Sequence, residues 1–216
     1  PEIVGTSLFG VFLNALSETY AYVKQHRVYF KAAIPFAIAT LPGAILGSLV
    51  SDYFTGPTFS LSYGIFILII SAIMYWNSSN KKAIATNFDE TLFIARKKLG
   101  IILSMFVGFI SSIFGIGGGI IHVPVMIYAL AFPPHMATAT SHFVLAVSSF
   151  MGVTSHIFLN HIVWIPALAV GFGAVIGAQI GARLSKKTKP RSIILLLCIS
   201  LFLLGIRMIV ESNLLF

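Results

Sequence analysis

Between residues 114 and 124 the chain reads FGIGGGIIHVP, with four glycines in five positions of an otherwise apolar stretch. Each glycine costs a helix about 1 kcal/mol relative to alanine, so a cluster this dense interrupts any helix that contains it. Glycine also lets backbone amides approach a ligand closely. A helix restarting after the cluster, near Gly119 and Ile120, presents free N–H groups and a partial positive charge at its first turn. That combination suits an anion and makes Gly115, Gly117, Gly118 and Gly119 the first candidates for substrate contact. The plainer structural alternative is a tight bend between packed half-helices. A nucleotide loop fits poorly, because no strand precedes the glycines and no acidic ribose partner follows at the required spacing.

Few polar side chains are available to join them. His122 stands three residues past the last glycine, where a protonated imidazole binds an anion or carries a coupling proton. A buried histidine satisfied by a neighbouring hydroxyl is its structural alternative. Thr6 and Ser7, and again Thr140 and Ser141, follow helix entries where hydroxyls and amides can serve an anion together, or can simply cap. His142 adjoins Ser141, and His156 lies towards an interface beside Ser155. Glu18, with Asn14 one turn before it, is an acidic residue inside an apolar run. It is either a proton-transfer group or a boundary salt-bridge partner of Lys24 and Arg27. Cys198 is the single cysteine and reads as a packing residue, and there is neither an H-E-x-x-H motif nor a histidine pair four apart. No metal and no cofactor is expected, and no G-x-x-x-x-G-K-[ST] loop supplies an ATPase.

The elements that must position these residues are membrane spans. Of the 216 residues, 57% are hydrophobic and only 9% charged, and the mean hydropathy is +0.96, far from a soluble domain. Apolar runs of spanning length occupy 3–23, 30–50, 59–76, 137–159, 163–182 and 192–210. The net charge of +8 sits in short loops, where it orients the chain in the lipid bilayer and implies no nucleic acid.

At an offset of 134 residues the chain aligns with itself without a gap. Thr6 and Ser7 fall on Thr140 and Ser141, Phe9 on Phe143, and Gly43, Ala44 and Gly47 on Gly177, Ala178 and Gly181. Equivalent loops differ in Lys and Arg, present in one and absent from its counterpart: KQHRVYFK matches NHIVW, and SDYFTGP matches RLSKKTKPR. Two copies crossing the membrane in opposite directions account for this. The segment 99–131 must then enter and leave on one side, with 99–114 going in, the glycines turning and 119–131 coming back. Drawn so, the cytoplasmic loops 24–31, 77–98 and 183–191 hold 13 of the 14 Lys and Arg. Glycines 173, 177 and 181, like Ala39, Gly43 and Gly47, recur every four residues and are expected to line the interface between the copies. Pro42, Pro124 and Pro166 are expected to bend or start helices.

The stretches GFISSIFGIGGGIIHVPVMIYALAFPPHMATATS, PEIVGTSLFG and GAVIGAQIGARL resemble the sulfite exporter TauE/SafE family of membrane proteins that move sulfur-containing anions. The resemblance implies two repeats, each a hydrophobic hairpin followed by three spans, with an anion held between them. The expected fold is therefore an all-α polytopic membrane protein of two inverted repeats. Its divisions are 1–76 for the first repeat, without its opening hairpin, 77–98 for a cytoplasmic loop, and 99–216 for the second repeat. The expected function is secondary transport, by alternating access in the cell membrane, of a small sulfur-containing oxyanion such as sulfite or an organosulfonate, with export the expected direction. Glu18 and His122 are the candidates for coupling. A passive anion channel is the alternative, and an intramembrane enzyme a more distant one. Assembly as a homodimer stays open.

Overall fold

A computed structural model describes residues 2–51, 57–79, 88–114, 119–158, 160 and 162–214. Among these the chain forms eight helices: α1 (Glu2–Lys24), α2 (Phe30–Ser51), α3 (Pro57–Ser79), α4 (Glu90–Phe114), α5 (Gly119–Tyr128), α6 (Pro134–Phe158), α7 (Trp164–Lys187) and α8 (Pro190–Leu214). Three of them open on proline, whose missing N–H and fixed φ suit the first helical position. Pro35 and Pro42 sit inside α2, and Pro124 inside α5. The six apolar runs coincide with α1, α2, α3, α6, α7 and α8.

Five helices, α2, α3, α6, α7 and α8, are long and apolar enough to cross a membrane. Helix α1 has the length but falls short in apolarity, because Asn14, Ser17, Glu18 and Thr19 interrupt its run. Its polar residues are turned inward, with Ser17 and Thr19 both buried. Only 22% of the apolar window of α8 is covered by protein, and Ile165, Phe172, Leu196 and Leu203 stand more than half exposed. Apolar side chains left uncovered over whole helix faces need lipid as their solvent.

Helix directions follow from which residues meet. Helices α2 and α4 run parallel: Phe36 lies at Gly100, Thr40 at Gly108 and Gly43 at Met105, with glycine letting the two backbones touch. At the start of this pair Lys31 Nζ meets Glu90 Oε1 at 2.7 Å, and Tyr29 Oη donates to the same oxygen at 2.9 Å. The Lys31 contact first, and then Tyr29, hold the Glu90 carboxyl below the usual carboxylate range. Helices α1 and α6 run antiparallel, since Leu8 lies on Gly152 while Glu18 meets His142. Helices α3 and α8 are also antiparallel, with Gly64 packed on Gly205 and Ser71 Oγ donating to the Cys198 carbonyl.

Several of these features recur at the offset of 134. Tyr29 N donates to Thr140 Oγ1 at 3.2 Å, and Val163 N donates to Thr6 Oγ1 at 3.0 Å. His26 and Asn160 both take positive φ, 56° and 54°, and their amides donate to Val23 O and Ile157 O. In each case both members of one pair are 134 positions from the corresponding members of the other. The threonine contacts tie α6 to the corner that starts α2, and α1 to the corner that starts α7. Removing the buried Thr140 hydroxyl leaves the Tyr29 amide without its acceptor, a loss of about 1 kcal/mol. Thr140→Val therefore lowers the thermal midpoint of the detergent-solubilised protein modestly while leaving it monodisperse.

The structure departs from the sequence reading in two places. Helix α4 starts before residue 99: Asp89 Oδ1 accepts from the amides of Thr91 and Leu92, capping α4 inside the stretch 77–98 expected as a loop. Helix α4 is thus 25 residues, about 37 Å long, against 10 residues and about 15 Å for α5. The two small-residue stripes also part company. Gly43 is pressed on α4, but a Cβ at Gly173, Gly177 or Gly181 would meet nothing within 4 Å among the described residues. The α7 stripe faces outward because α7 packs on α1 through its other face, at Gly171, Val175 and Gln179.

Candidate functional site

Gly115, Gly117 and Gly118 lie outside the described residues, which resume at Gly119 after Phe114. Helix α5 starts at Gly119 and returns along α4, for His122 Nε2 lies 3.0 Å from Ser104 Oγ and the Arg96 guanidinium donates to the Ala129 carbonyl at 2.9 Å. The two contacts make the helices antiparallel and bring the start of α4 and the end of α5 to the same end of the bundle. Beyond Ala129 the chain turns through Ala131 at φ 57° into α6.

Gly119 is seated against the middle of α6. Ser141 Oγ donates to its carbonyl at 3.4 Å, and Leu145 is the nearest side chain to a Cβ placed there, at 3.2 Å. Ser141 is fully buried, so its hydroxyl is held at the mouth of the α5 N-terminus. His122 is one turn further in and only 1% exposed. Its protonation can be read from its neighbour. Ser104 spends its one hydroxyl hydrogen on the Gly100 carbonyl at 2.7 Å, so it must accept from His122 Nε2–H. That leaves Nδ1, buried and without a hydrogen-bond partner, as a lone pair in the neutral ring. A neutral His122 therefore offers an acceptor, and only a proton on Nδ1 turns it into a donor for an anion.

The hydroxyl pairs do not converge. Because α1 runs antiparallel to α6, Thr6 stands level with the far part of α6, some 14 residues or about 21 Å along the helix from Thr140. Thr6 serves the Val163 amide at the start of α7, and Thr140 serves Tyr29 before α2. Ser7 is exposed. Only Ser141 of the four touches α5. Because α1 and α6 run antiparallel, positions matched at the offset of 134 fall at opposite ends of this helix pair unless they lie near its middle.

Glu18 is not paired with Lys24 or Arg27. Its Oε2 meets His142 Nε2 on α6, while Arg27 bonds Ser185 Oγ at 3.3 Å and Lys24 is exposed. His142 Nδ1 lies 2.8 Å from the Thr138 carbonyl and its ring stands edge-on to Tyr22. Beside this pair Gln179 on α7 donates to both the carbonyl and the hydroxyl of Ser17, at 2.8 and 2.9 Å. Ser104 and Gln179 escaped the sequence reading. A pairing of residues across the hairpin would have pointed to Ser104, but only with α4 extended beyond the contact by two further turns.

Among the described residues no three of His, Cys, Asp and Glu gather as metal ligands would. A hollow of about 530 Å³ opens between α3 and α8, lined by Leu68, Tyr75, Cys198 and Phe202, and its apolar walls offer nothing to an anion. Cys198 is buried there as a packing residue.

Residues 1–208 match the pattern of the sulfite exporter TauE/SafE family. The chain belongs to that family. It is 35% identical to a probable membrane transporter protein, YunE, of Bacillus subtilis over 98% of its own length and 82% of that protein's. It is 29% identical to the probable membrane transporter protein MJ0441 of Methanocaldococcus jannaschii, over 95% of this chain and 78% of the other. A probable membrane transporter protein of Xylella fastidiosa is 27% identical over 85% of this chain and 69% of its own. No solved structure matches. This TauE/SafE member is thus a multi-pass membrane transporter rather than an enzyme, and its broken α4–α5 hairpin packs on the central helix α6.

Proposed function

We propose that this TauE/SafE member is a secondary transporter of the cell membrane for a small sulfur-containing oxyanion, such as sulfite or an organosulfonate, with export as its direction. The observation that carries the reading is the start of α5: a helix N-terminus at Gly119, set against the middle of α6, with buried Ser141 and buried His122 beside it. Amides of a first helical turn, a hydroxyl and a protonated imidazole are together the chemistry that replaces the water shell of an oxyanion inside a bilayer. The amides of Gly115, Gly117 and Gly118 complete the proposed site.

The architecture proposed to carry this site is two inverted repeats with α4–α5 as a re-entrant hairpin. The antiparallel course of α1 against α6 and of α3 against α8 supports it, as do the hydrogen bonds and positive-φ corners that recur at the offset of 134. Irregular backbone at membrane depth needs a protein or water lining, and the flank of α6 supplies protein. Alternating exposure then follows from movement of one repeat against the other around α1 and α6.

Calorimetric titration of the purified full-length protein with sulfite, sulfate, thiosulfate and sulfoacetate tests the reading: at least one binds saturably, and failure of all four overturns it. In proteoliposomes, uptake that saturates and exchanges in both directions is expected, whereas ohmic single-channel current would make the protein a pore. A single cysteine replacing Lys187, in a Cys198→Ser background, is labelled by an impermeant maleimide only from the cytoplasmic face.

A further inference from the structure

The contact between Glu18 and His142 has a property that follows from which atoms face each other. His142 Nδ1 lies 2.8 Å from the Thr138 carbonyl, and a carbonyl oxygen only accepts, so Nδ1 carries a hydrogen. The remaining nitrogen, Nε2, then faces Glu18 Oε2 either as a lone pair or as an N–H. The two atoms are in ion-pair contact without hydrogen-bond geometry at Oε2, and two lone pairs are not held that close, so the pair carries one proton. On Nε2 it makes an imidazolium and a carboxylate; on Oε2 it makes a neutral imidazole and a carboxylic acid. The pair is electrically neutral either way. Without that proton it carries a net negative charge and its facing atoms repel, which is unfavourable among apolar helices in a membrane.

The surroundings leave the pair to hold its own proton. Tyr22 on α1 lies edge-on to His142, and Arg27, which donates to Ser185 of α7, keeps its positive charge on the far side of Tyr22 and has no contact with Glu18. From α7 the neighbouring groups are Gln179 and Ser185, neither titratable in the working range, and His122 on α5 is engaged with Ser104 on α4. At the offset of 134, Glu18 corresponds to Gly152 and His142 to Leu8. Those two residues also meet across the same helix pair, as an apolar contact. The α1–α6 crossing therefore has two equivalent contact points, one apolar and one that sets a carboxyl group against an imidazole. His142 is also the neighbour in sequence of Ser141, whose hydroxyl touches the start of α5. One turn of α6 thus touches both the α5 N-terminus and the proton pair.

We propose that Glu18 and His142 form a one-proton site whose occupancy closes the α1–α6 crossing, so that the coupling ion of this transporter is H⁺. The proposal deepens the transport reading and rests on it for its purpose. Its structural core is tested without any anion. Spin labels at Tyr20 and Phe150, exposed positions on α1 and α6, are introduced into the full-length Cys198→Ser protein, and their separation is measured by pulsed EPR between pH 5 and 9. Wild type shifts to longer separations as the pH rises. Glu18→Gln, whose amide donates permanently to Nε2, stays at the short separation throughout, and His142→Gln, read in parallel, loses the pH response. A pH-independent wild type, or a pH response that survives in Glu18→Gln, overturns the proposal. In proteoliposomes, sulfite flux driven by a pH gradient falls about tenfold in Glu18→Gln, within the usual span of coupling free energies; undiminished gradient-driven flux overturns the coupling role. If the separation responds to pH as stated but no sulfur oxyanion binds, the proton site stands and the transport reading falls.

Discussion

Gly43→Ala disrupts the seating of α4 on α2, because among the described glycines an added methyl meets backbone most closely there. A Cβ at position 43 runs into the Met105 carbonyl, and the neighbouring Phe109 amide closes the other side. Backbone on a packed helix has no rotamer through which to yield, so the two helices must separate, at the upper end of the usual overpacking cost, about 3 kcal/mol. Gly108→Ala does the same from the opposite helix, against the Thr40 carbonyl. Gly152→Ala is the control. There the nearest atom is the end of the Leu8 side chain at 2.7 Å, which can turn aside. Thermal denaturation of the full-length protein in detergent, followed by fluorescence-detected chromatography, is expected to rank Gly43→Ala and Gly108→Ala far below wild type. Gly152→Ala is expected close to it. A Gly43→Ala protein as stable as wild type would mean that α4 does not lie along α2.

The second large effect concerns His122. Ser104 fixes Nε2 as a donor, so an anion beside α5 gains from His122 only when Nδ1 is protonated. Binding of sulfoacetate, whose charge is constant above about pH 5.5 on ordinary carboxylate grounds, must then bring a proton onto Nδ1, so its affinity is expected to fall as pH rises. His122→Leu removes a charge-assisted hydrogen bond worth about 1.5–3 kcal/mol, a loss of about tenfold to a hundredfold in affinity, and with it this part of the pH dependence. Ser104→Ala leaves the imidazole present but unanchored and weakens binding less. Equal affinity in wild type and a folded His122→Leu protein, at every pH tested, would remove the histidine from the site.

The sequence by itself determined the class of the molecule and the places where its helices stop. Length of apolar run, proline and clustered glycine act within a few residues, so six helices and the reversal of direction from α4 to α5 could be read from local physics. Even the cap on α4 had a local signal, an aspartate before Glu-Thr-Leu, that went unread beside the basic run at 96–98. Which side chains meet was decided only by the tertiary structure. Glu18 was close in sequence to Lys24 and Arg27, yet the parallel and antiparallel courses of α1, α6 and α7 gave it His142 and gave Arg27 to Ser185. The threonine–serine pairs were alike in sequence, but the antiparallel course of α1 against α6 set them at opposite ends. A partner across helices depends on rotation and axial register, set by where glycines such as Gly43, Gly108 and Gly152 let backbones close, and no window along the chain contains that information.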